Sequence, residues 1–105
     1  MNTLENWQEQ HPWPVIGTAV VYCDESGVDH NGLITECWGN RESQSEYGPC
    51  VNLLHISSDE KERDQYGRQI KRPSSVSHAG CPGTAHGRYW RYPDEQRKAY
   101  QPPTG

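Results

Sequence analysis

The apolar residues of this chain fall into short runs separated by turn-forming residues, and this pattern limits the possible folds most. The clearest run, Val15–Cys23, is dense in β-branched residues, which favour strands. Asp24–Gly27 follows as a turn with a permissive glycine, and a second turn is expected at His30–Gly32. No periodic apolar segment has the length of a stable helix. The pattern predicts an all-β protein.

Four further runs complete the set of predicted strands, namely Leu33–Trp38, Cys50–Ile56, Ser74–His78 and Gly87–Tyr92. Ser57–Arg63 is compatible with one capped helical turn, but it is too short for a stable helix. Five short strands at regular spacing predict a small five-stranded SH3-like barrel with long polar loops. An OB-fold is the nearest alternative.

The length of 105 residues has room for a single domain. We divide the chain into a lead-in segment (1–14), one barrel domain (15–92) and a flexible tail (93–105). Hydrophobic residues make up 31% of the chain and phenylalanine is absent, so Trp and Tyr must supply much of the core. Because so thin a core leaves a monomer marginally stable, we expect a homodimer.

The chemistry-bearing residues show no known catalytic or metal motif. Zinc sites are usually announced by C-x2-C or H-x3-H pairs, which do not occur, so we predict no metal, although His78, Cys81 and His86 lie within nine residues. No catalytic fingerprint is present, so we expect no cofactor and no enzymatic activity. Without a signal peptide or an apolar span, we expect a cytoplasmic protein, away from membranes, with all four cysteines as free thiols.

The charge is distributed unevenly along the chain. Residues 1–60 contain ten acidic residues and one basic residue, whereas residues 61–105 contain nine basic and four acidic residues. The net charge of −4 argues against a general nucleic-acid binder, which would carry a basic footprint. The positive half favours a local anion site, with attraction between the two halves as the alternative.

The stretch Asp64–Tyr92 concentrates hydrogen-bond donors, cations and aromatic faces, as a surface that grips a polar or anionic ligand does. Gly67 permits a tight turn that exposes the ring of Tyr66 and the guanidinium of Arg68, and a guanidinium suits phosphate. Strand alternation places Ser75 and Ser77 on one face. An ordinary hairpin turn, and a core role for Trp90, are the alternatives. The predicted ligand-binding residues are Tyr66, Arg68, Gln69, Ser75, Ser77, His78, His86, Tyr89, Trp90 and Arg91.

The segments DQYGRQI, SVSH and HGRYW resemble parts of small uncharacterised proteins of tailed bacteriophages, and the resemblance spans residues 15–92. Some compact phage proteins of this size are sponges that sequester cyclic nucleotide signals of host defence. The resemblance implies a non-enzymatic protein of the host cytoplasm that sequesters a small anionic nucleotide-like ligand. A protein–protein interaction module and a nucleic-acid accessory or virion protein are the alternatives.

Overall fold

The computed structural model describes residues 11–39 and 48–102, which contain strands and turns but no helix. The all-β prediction is therefore confirmed. The strands are β1 (Ala19–Cys23), β2 (Asp29–Trp38), β3 (Cys50–Ile56), β4 (Arg63–Asp64), β5 (Gly67–Arg68), β6 (Ile70–Lys71), β7 (Ser77–His78) and β8 (Tyr89–Arg91). Within these two ranges, no helix is long and apolar enough to cross a membrane.

Six strands form one mixed sheet in the order β6-β3-β2-β1-β8-β7, and β4 pairs with β5 in a separate hairpin. β1, β2 and β3 are consecutive antiparallel neighbours, whereas β7 and β8 run parallel. A single antiparallel bridge joins Val51 in β3 to Val76, the residue before β7. A closed barrel is not found among the described residues, so the five-stranded SH3-like arrangement stays a prediction.

β3 has the predicted bounds, whereas β1 and β2 differ from them. β1 begins late because Val15–Thr18 form a turn, in which the Thr18 amide donates to the Val15 carbonyl at 3.0 Å. The predicted turn at His30–Gly32 is wrong, because these residues pair with β1 and extend β2. The chain reverses earlier, where the Asp24 amide donates to the Val28 carbonyl at 2.9 Å.

The segment after β3 forms a polar turn instead of a helical turn. The Glu62 amide donates to the Asp59 carbonyl at 3.0 Å, and the Asp59 amide donates to the Ser57 hydroxyl at 3.1 Å. The β4–β5 hairpin follows, and β6 then returns along β3. Each of these strands is only two residues long, so the sequence shows no alternation from which they could have been predicted.

The two predicted strands at the end of the domain are shortened to β7 and β8. Ser75 has φ of 54° and Arg88 has φ of 58°, so both adopt the left-handed conformation that interrupts extended backbone. Gly87, with φ of 94°, adds a second left-handed residue directly before Arg88. Extended pairing is therefore restricted to the residues that follow these positions.

The inner face of the sheet carries the core, and aromatic residues fill much of it, as the composition predicted. Trp90 is fully buried at its centre, with the Tyr92 ring edge-on at 5.5 Å. The aliphatic part of the core is small and consists of Val20, Ile34, Val51, Leu53 and Val76. Towards one end of the sheet, the inward-facing positions of β1, β2 and β3 change from aliphatic residues to Tyr22, His30 and His55.

Residues 93–102 pack on the rest of the domain through individual polar and aromatic contacts. Arg97 donates to the Asp29 carboxylate at 3.0 Å and to the Gly27 carbonyl at 2.8 Å. The Tyr100 ring lies so close to Gly27 that a Cβ there would meet it at 2.8 Å. The sequence predicted a flexible tail over residues 93–105, of which 103–105 lie outside the described ranges. Individual side-chain contacts such as these leave no pattern in the sequence.

Candidate functional site

Three of the predicted ligand-binding residues lie inside the protein. The Trp90 indole is fully buried and donates to the Pro49 carbonyl at 2.7 Å. Tyr89 is also fully buried, and its hydroxyl donates to the Lys98 carbonyl at 3.3 Å. The buried His78 ring contacts the Glu95 carboxylate at 3.0 Å. These side chains hold the sheet to neighbouring segments, and for Trp90 this is the core role that the sequence left as the alternative.

Arg91 also makes internal contacts. Its side chain is only 11% exposed, and its guanidinium donates to the Glu95 carbonyl at 3.0 Å and to the Asp29 carboxylate at 3.3 Å. These bonds fasten the start of the C-terminal segment to β2. They also occupy much of the donor fork that the sequence suggested for phosphate.

The predicted row of hydroxyls and His86 do not converge on one surface feature. The positive φ of Ser75 breaks the strand alternation that placed it on one face with Ser77. The Ser75 amide donates to the Asn52 side chain at 2.9 Å. His86 is exposed and contacts the Gln101 carbonyl at 2.5 Å through Nδ1.

The β4–β5 hairpin carries the three remaining predicted residues, Tyr66, Arg68 and Gln69. Tyr66 lies at the turn and is 88% exposed. Arg68 donates to the Ser57 and Ser58 carbonyls at 3.5 and 3.4 Å, and Ser57 in turn donates its amide to the Gln69 carbonyl at 2.9 Å. The hairpin is thus attached to a loop that lines a cavity.

The cavity opens where the aliphatic core ends, and it has a volume of about 420 Å³. We call it the polar cavity. Its floor is made by inward-facing residues of three adjacent strands, Tyr22, His30 and His55. The His55 ring stacks on His30 at 4.2 Å and on Tyr22 at 5.1 Å between ring centroids. The wall consists of Asp24, Ser57, Ser58, Asp59, Glu62, Lys71, Arg72 and Pro73.

Asp24 connects the floor of the polar cavity to the β1–β2 turn. One carboxylate oxygen accepts the amides of Ser26 and Val28 at 2.8 and 3.0 Å, and the other lies 2.7 Å from His30 Nε2. Burial alone raises the pKa of Asp24, but the hydrogen bonds from His30 and the two amides outweigh it and lower the pKa. Asp24 is therefore a carboxylate at neutral pH.

His55 is held in its neutral form. Burial lowers the pKa of His55, a hydrogen bond to the Ile56 carbonyl partly opposes this, and the neighbouring His30 lowers it further. Burial also raises the pKa of Tyr22, against the nearby Arg88 guanidinium. The Tyr22 and His55 rings are therefore uncharged at neutral pH, and the floor presents aromatic rings with polar edges.

The wall of the polar cavity carries both signs of charge. Glu62 pairs with Lys71 at 2.8 Å and accepts the Ser57 hydroxyl at 2.5 Å, and these bonds lower the pKa of Glu62. Asp59 accepts the Lys61 amide at 2.9 Å. Arg72 is exposed, and the structure gives it no ion pair with any residue of 11–39 or 48–102. Such a wall suits a ligand that carries both an anion and hydrogen-bond donors.

The sequence did not place His30 and His55 in the site, although a signal for them was present. His55 shares the β3 face of Val51 and Leu53, so alternation indicated an inward histidine in an otherwise apolar row. The misplaced turn at His30–Gly32 concealed the same signal in β2. Neither histidine belongs to a known metal or catalytic motif, so neither could be identified from a motif.

The described part of the chain contains four cysteines together with several His, Asp and Glu side chains. No group of three His, Cys, Asp or Glu side chains there is arranged to hold a metal ion. All four cysteines are free thiols, and burial raises the pKa of each. Cys23 is fully buried beneath the C-terminal segment.

Comparisons of the chain with protein-family models, with curated proteins and with solved structures found no match.

Proposed function

We propose that this protein binds a small anionic nucleotide-like ligand in the polar cavity without chemically converting it. The cavity volume of about 420 Å³ lies within the range of small-molecule sites, about 300–1,000 Å³. Its floor combines apolar ring faces with polar ring edges, and its wall supplies donors and acceptors. This is the mixture that orients a ligand with an aromatic base, hydroxyl groups and one anionic group.

The proposal rests mainly on the exposed guanidinium of Arg72 on the wall of the polar cavity. The other charges of the wall have partners, because Lys71 pairs with Glu62 and Asp24 accepts three hydrogen bonds. Arg72 forms no ion pair with the residues that the structure describes, so its planar fork of donors can bind a group from outside, and phosphate or carboxylate matches that fork. Because Arg72 is an exposed residue of the wall, we expect the anion at the outer part of the cavity.

The stretch singled out by sequence contributes to this site through its N-terminal part. It supplies Lys71, Arg72 and Pro73 to the wall, and Arg68 braces the loop that forms the rest of that wall. The resemblance to small proteins of tailed bacteriophages supports sequestration of a cyclic nucleotide defence signal. Cyclic nucleotides are therefore the first ligands to test.

We also propose that the sheet closes as the five-stranded SH3-like barrel expected from the sequence. Support comes from the segment between β6 and β7, which runs beside β3. Val51 and Val76 exchange backbone hydrogen bonds at 2.9 and 2.7 Å, and the Leu53 amide donates to the Pro73 carbonyl at 3.0 Å. In a closed barrel the polar cavity would lie at the mouth, a common place for ligand sites.

A protein-interaction module is the second candidate, and one observation favours it. The outer face of β1, β2 and β3 carries an apolar groove of about 320 Å³. Leu33 and Ile56 are exposed on it, and Leu54 lies between them. Exposed apolar surface of this kind marks many sites of protein association.

Replacing Arg72 tests the proposed function. We expect Arg72→Gln to weaken binding of cyclic nucleotides about tenfold or more, because a charge-assisted bond to phosphate is lost. Arg63→Gln is the matched control, since it removes the same charge from an exposed position outside the cavity. Calorimetric titration gives both affinities, and the melting temperature of each variant verifies the fold.

Equal affinities for the two variants and the original protein would contradict the assignment of the anion to Arg72. Absence of binding to any mono-, di- or cyclic nucleotide would contradict the proposed function and favour the protein-interaction candidate. Recovery of a chemically altered nucleotide would contradict the non-enzymatic part of the proposal.

A further inference from the structure

The hydrogen bonds at the floor of the polar cavity fix which nitrogen of each imidazole carries a proton. His55 Nδ1 lies 3.0 Å from the Ile56 carbonyl, which can only accept, so Nδ1 carries the hydrogen. His30 Nε2 lies 2.7 Å from the Asp24 carboxylate, so Nε2 carries the hydrogen there. In the neutral rings, His55 Nε2 and His30 Nδ1 are then hydrogen-bond acceptors.

These two acceptor nitrogens have no hydrogen-bond partner among residues 11–39 and 48–102. Both side chains are deeply buried, with His30 only 8% and His55 only 7% exposed, yet both line the cavity. Both nitrogens face the open cavity, where solvent can donate to them, and neither is buried and unpaired in the protein alone. A ligand that displaces the solvent without supplying a donor leaves a buried acceptor unpaired, at a cost of about 1–3 kcal/mol. The floor therefore favours a ligand group that donates hydrogen bonds.

We propose that the ligand enters the polar cavity with N–H donors first, and that the site selects bases that carry an exocyclic amino group. This inference rests on the proposed function. Adenine, cytosine and guanine supply such donors, whereas hypoxanthine and uracil place a carbonyl oxygen where adenine and cytosine have the amino group. A carbonyl oxygen facing an imidazole lone pair makes no hydrogen bond. The single ring N–H of hypoxanthine or uracil can then donate to one of the two imidazole nitrogens and leaves the other unpaired.

The charges around the floor favour this orientation over a buried phosphate. The Asp24 carboxylate lies directly behind His30, and Glu62 and Asp59 stand on the adjoining wall. An anion at the floor would approach these carboxylates, whereas Arg72, which has no ion pair within the described ranges, offers it a cation on the wall. The titratable and charged groups that face the two imidazoles are Tyr22, Asp24, Asp59, Glu62, Lys71 and Arg72.

The test measures affinities for 3′,5′-cyclic monophosphates that differ only at the base. We expect cyclic AMP to bind about tenfold or more tightly than cyclic IMP, or cyclic CMP to bind tighter than cyclic UMP by a similar factor. Equal affinities within each pair would overturn the selection of amino groups. If no cyclic nucleotide binds, the proposed function itself fails, which is a different and separately recognisable result.

Acidification provides a second test. Cyclic phosphodiesters do not titrate between about pH 5 and 8, so a change in affinity over this range reports on the protein. Protonation of an imidazole replaces an acceptor with a donor. Because burial lowers the pKa of His55 below its usual value of about 6.5, the affinity for the preferred ligand should stay constant from about pH 7.5 to 6.5 and fall at lower pH. A rise in affinity over this range would show that the phosphate, rather than the base, contacts the histidines, and would overturn the orientation.

His55→Phe isolates the acceptor while it keeps an aromatic ring on the floor. We expect this variant to lose most of the difference between the amino-bearing ligand and its carbonyl counterpart. His86→Phe is the matched control, because it changes an exposed ring outside the cavity. The ratio of two affinities on one preparation does not depend on how much of the variant is folded. Retention of the full ratio in His55→Phe would overturn the role of His55.

Discussion

At the residue scale, Asp24 links local chain reversal to the proposed site. Its carboxylate receives two backbone amides of the β1–β2 turn and the ring of His30. Because the pKa of Asp24 is lowered in the folded protein, its contribution to stability is present above its unfolded pKa of about 3.9. That contribution is lost as pH falls through the lower, folded-state pKa.

Replacing Asp24 should separate its two roles. Asp24→Ala leaves the Ser26 and Val28 amides without their acceptor, and we expect it to lower the free energy of unfolding by about 1–3 kcal/mol. Asp24→Asn keeps an oxygen for these amides, so it should cost less, while it removes the carboxylate from His30. Urea denaturation measures both changes. Equal stability of Asp24→Ala and the original protein would contradict this account.

The roles of individual residues were predictable only where local pattern decides them. A core role for Trp90 could be anticipated, since a large aromatic in a thin core has few other places. The internal bonds of Arg91 could not be read from sequence, because Asp29 lies far away in the chain and pairs with it only after folding. His55 was readable from alternation in β3, whereas His30 was hidden by the misplaced turn.

At the scale of elements, the β1–β2 turn packs tightly against the loop that precedes β8. Gly87, with φ of 94°, lies so close to the Asp24 carbonyl that a Cβ on it would stand 2.1 Å from that oxygen. The Arg88 amide then donates to the Cys23 carbonyl at 2.8 Å. The same contact that positions β8 therefore also supports the turn that holds His30.

Alanine substitutions at two glycines separate the energetic cost of disrupting this contact from the cost of backbone strain alone. Gly83 has φ of 84°, and a Cβ on it would meet no atom within 4 Å beyond its chain neighbours, so Gly83→Ala should cost only the left-handed strain, about 1–2 kcal/mol. Gly87→Ala adds a backbone clash and should cost about 1–3 kcal/mol more. Thermal unfolding measures the difference. Equal losses for the two variants would contradict the tight packing at Gly87.

The strands that could be predicted are those with an apolar face long enough to show alternation. β3 was predicted in full because its buried residues Val51, Leu53 and His55 alternate with less buried ones along seven residues. β4, β5 and β6 are pairs of residues on a polar surface, so neither composition nor period distinguishes them from turns. The shortening at Ser75 and Arg88 was equally hidden, because non-glycine residues rarely adopt positive φ.

At the scale of the whole molecule, the sheet has three surfaces with different chemistry. Its inner face holds the aromatic core and ends in the polar cavity, while residues 93–102 contact β8 and the start of β2. The remaining outer surface is the apolar groove beside Leu33 and Ile56. The all-β class followed from sequence, but the pairing of β1 with β8 and the position of the cavity depend on distant contacts. The expected homodimer stays a prediction.

The most direct test of the central claim, that the polar cavity is the ligand site, is nuclear magnetic resonance of the imidazole nitrogens during titration with a cyclic nucleotide. We predict saturable shifts at His30 and His55, because both rings line the cavity, and no comparable shift at the exposed His86. Shifts confined to His86, or binding that leaves His30 and His55 unchanged, would contradict the claim.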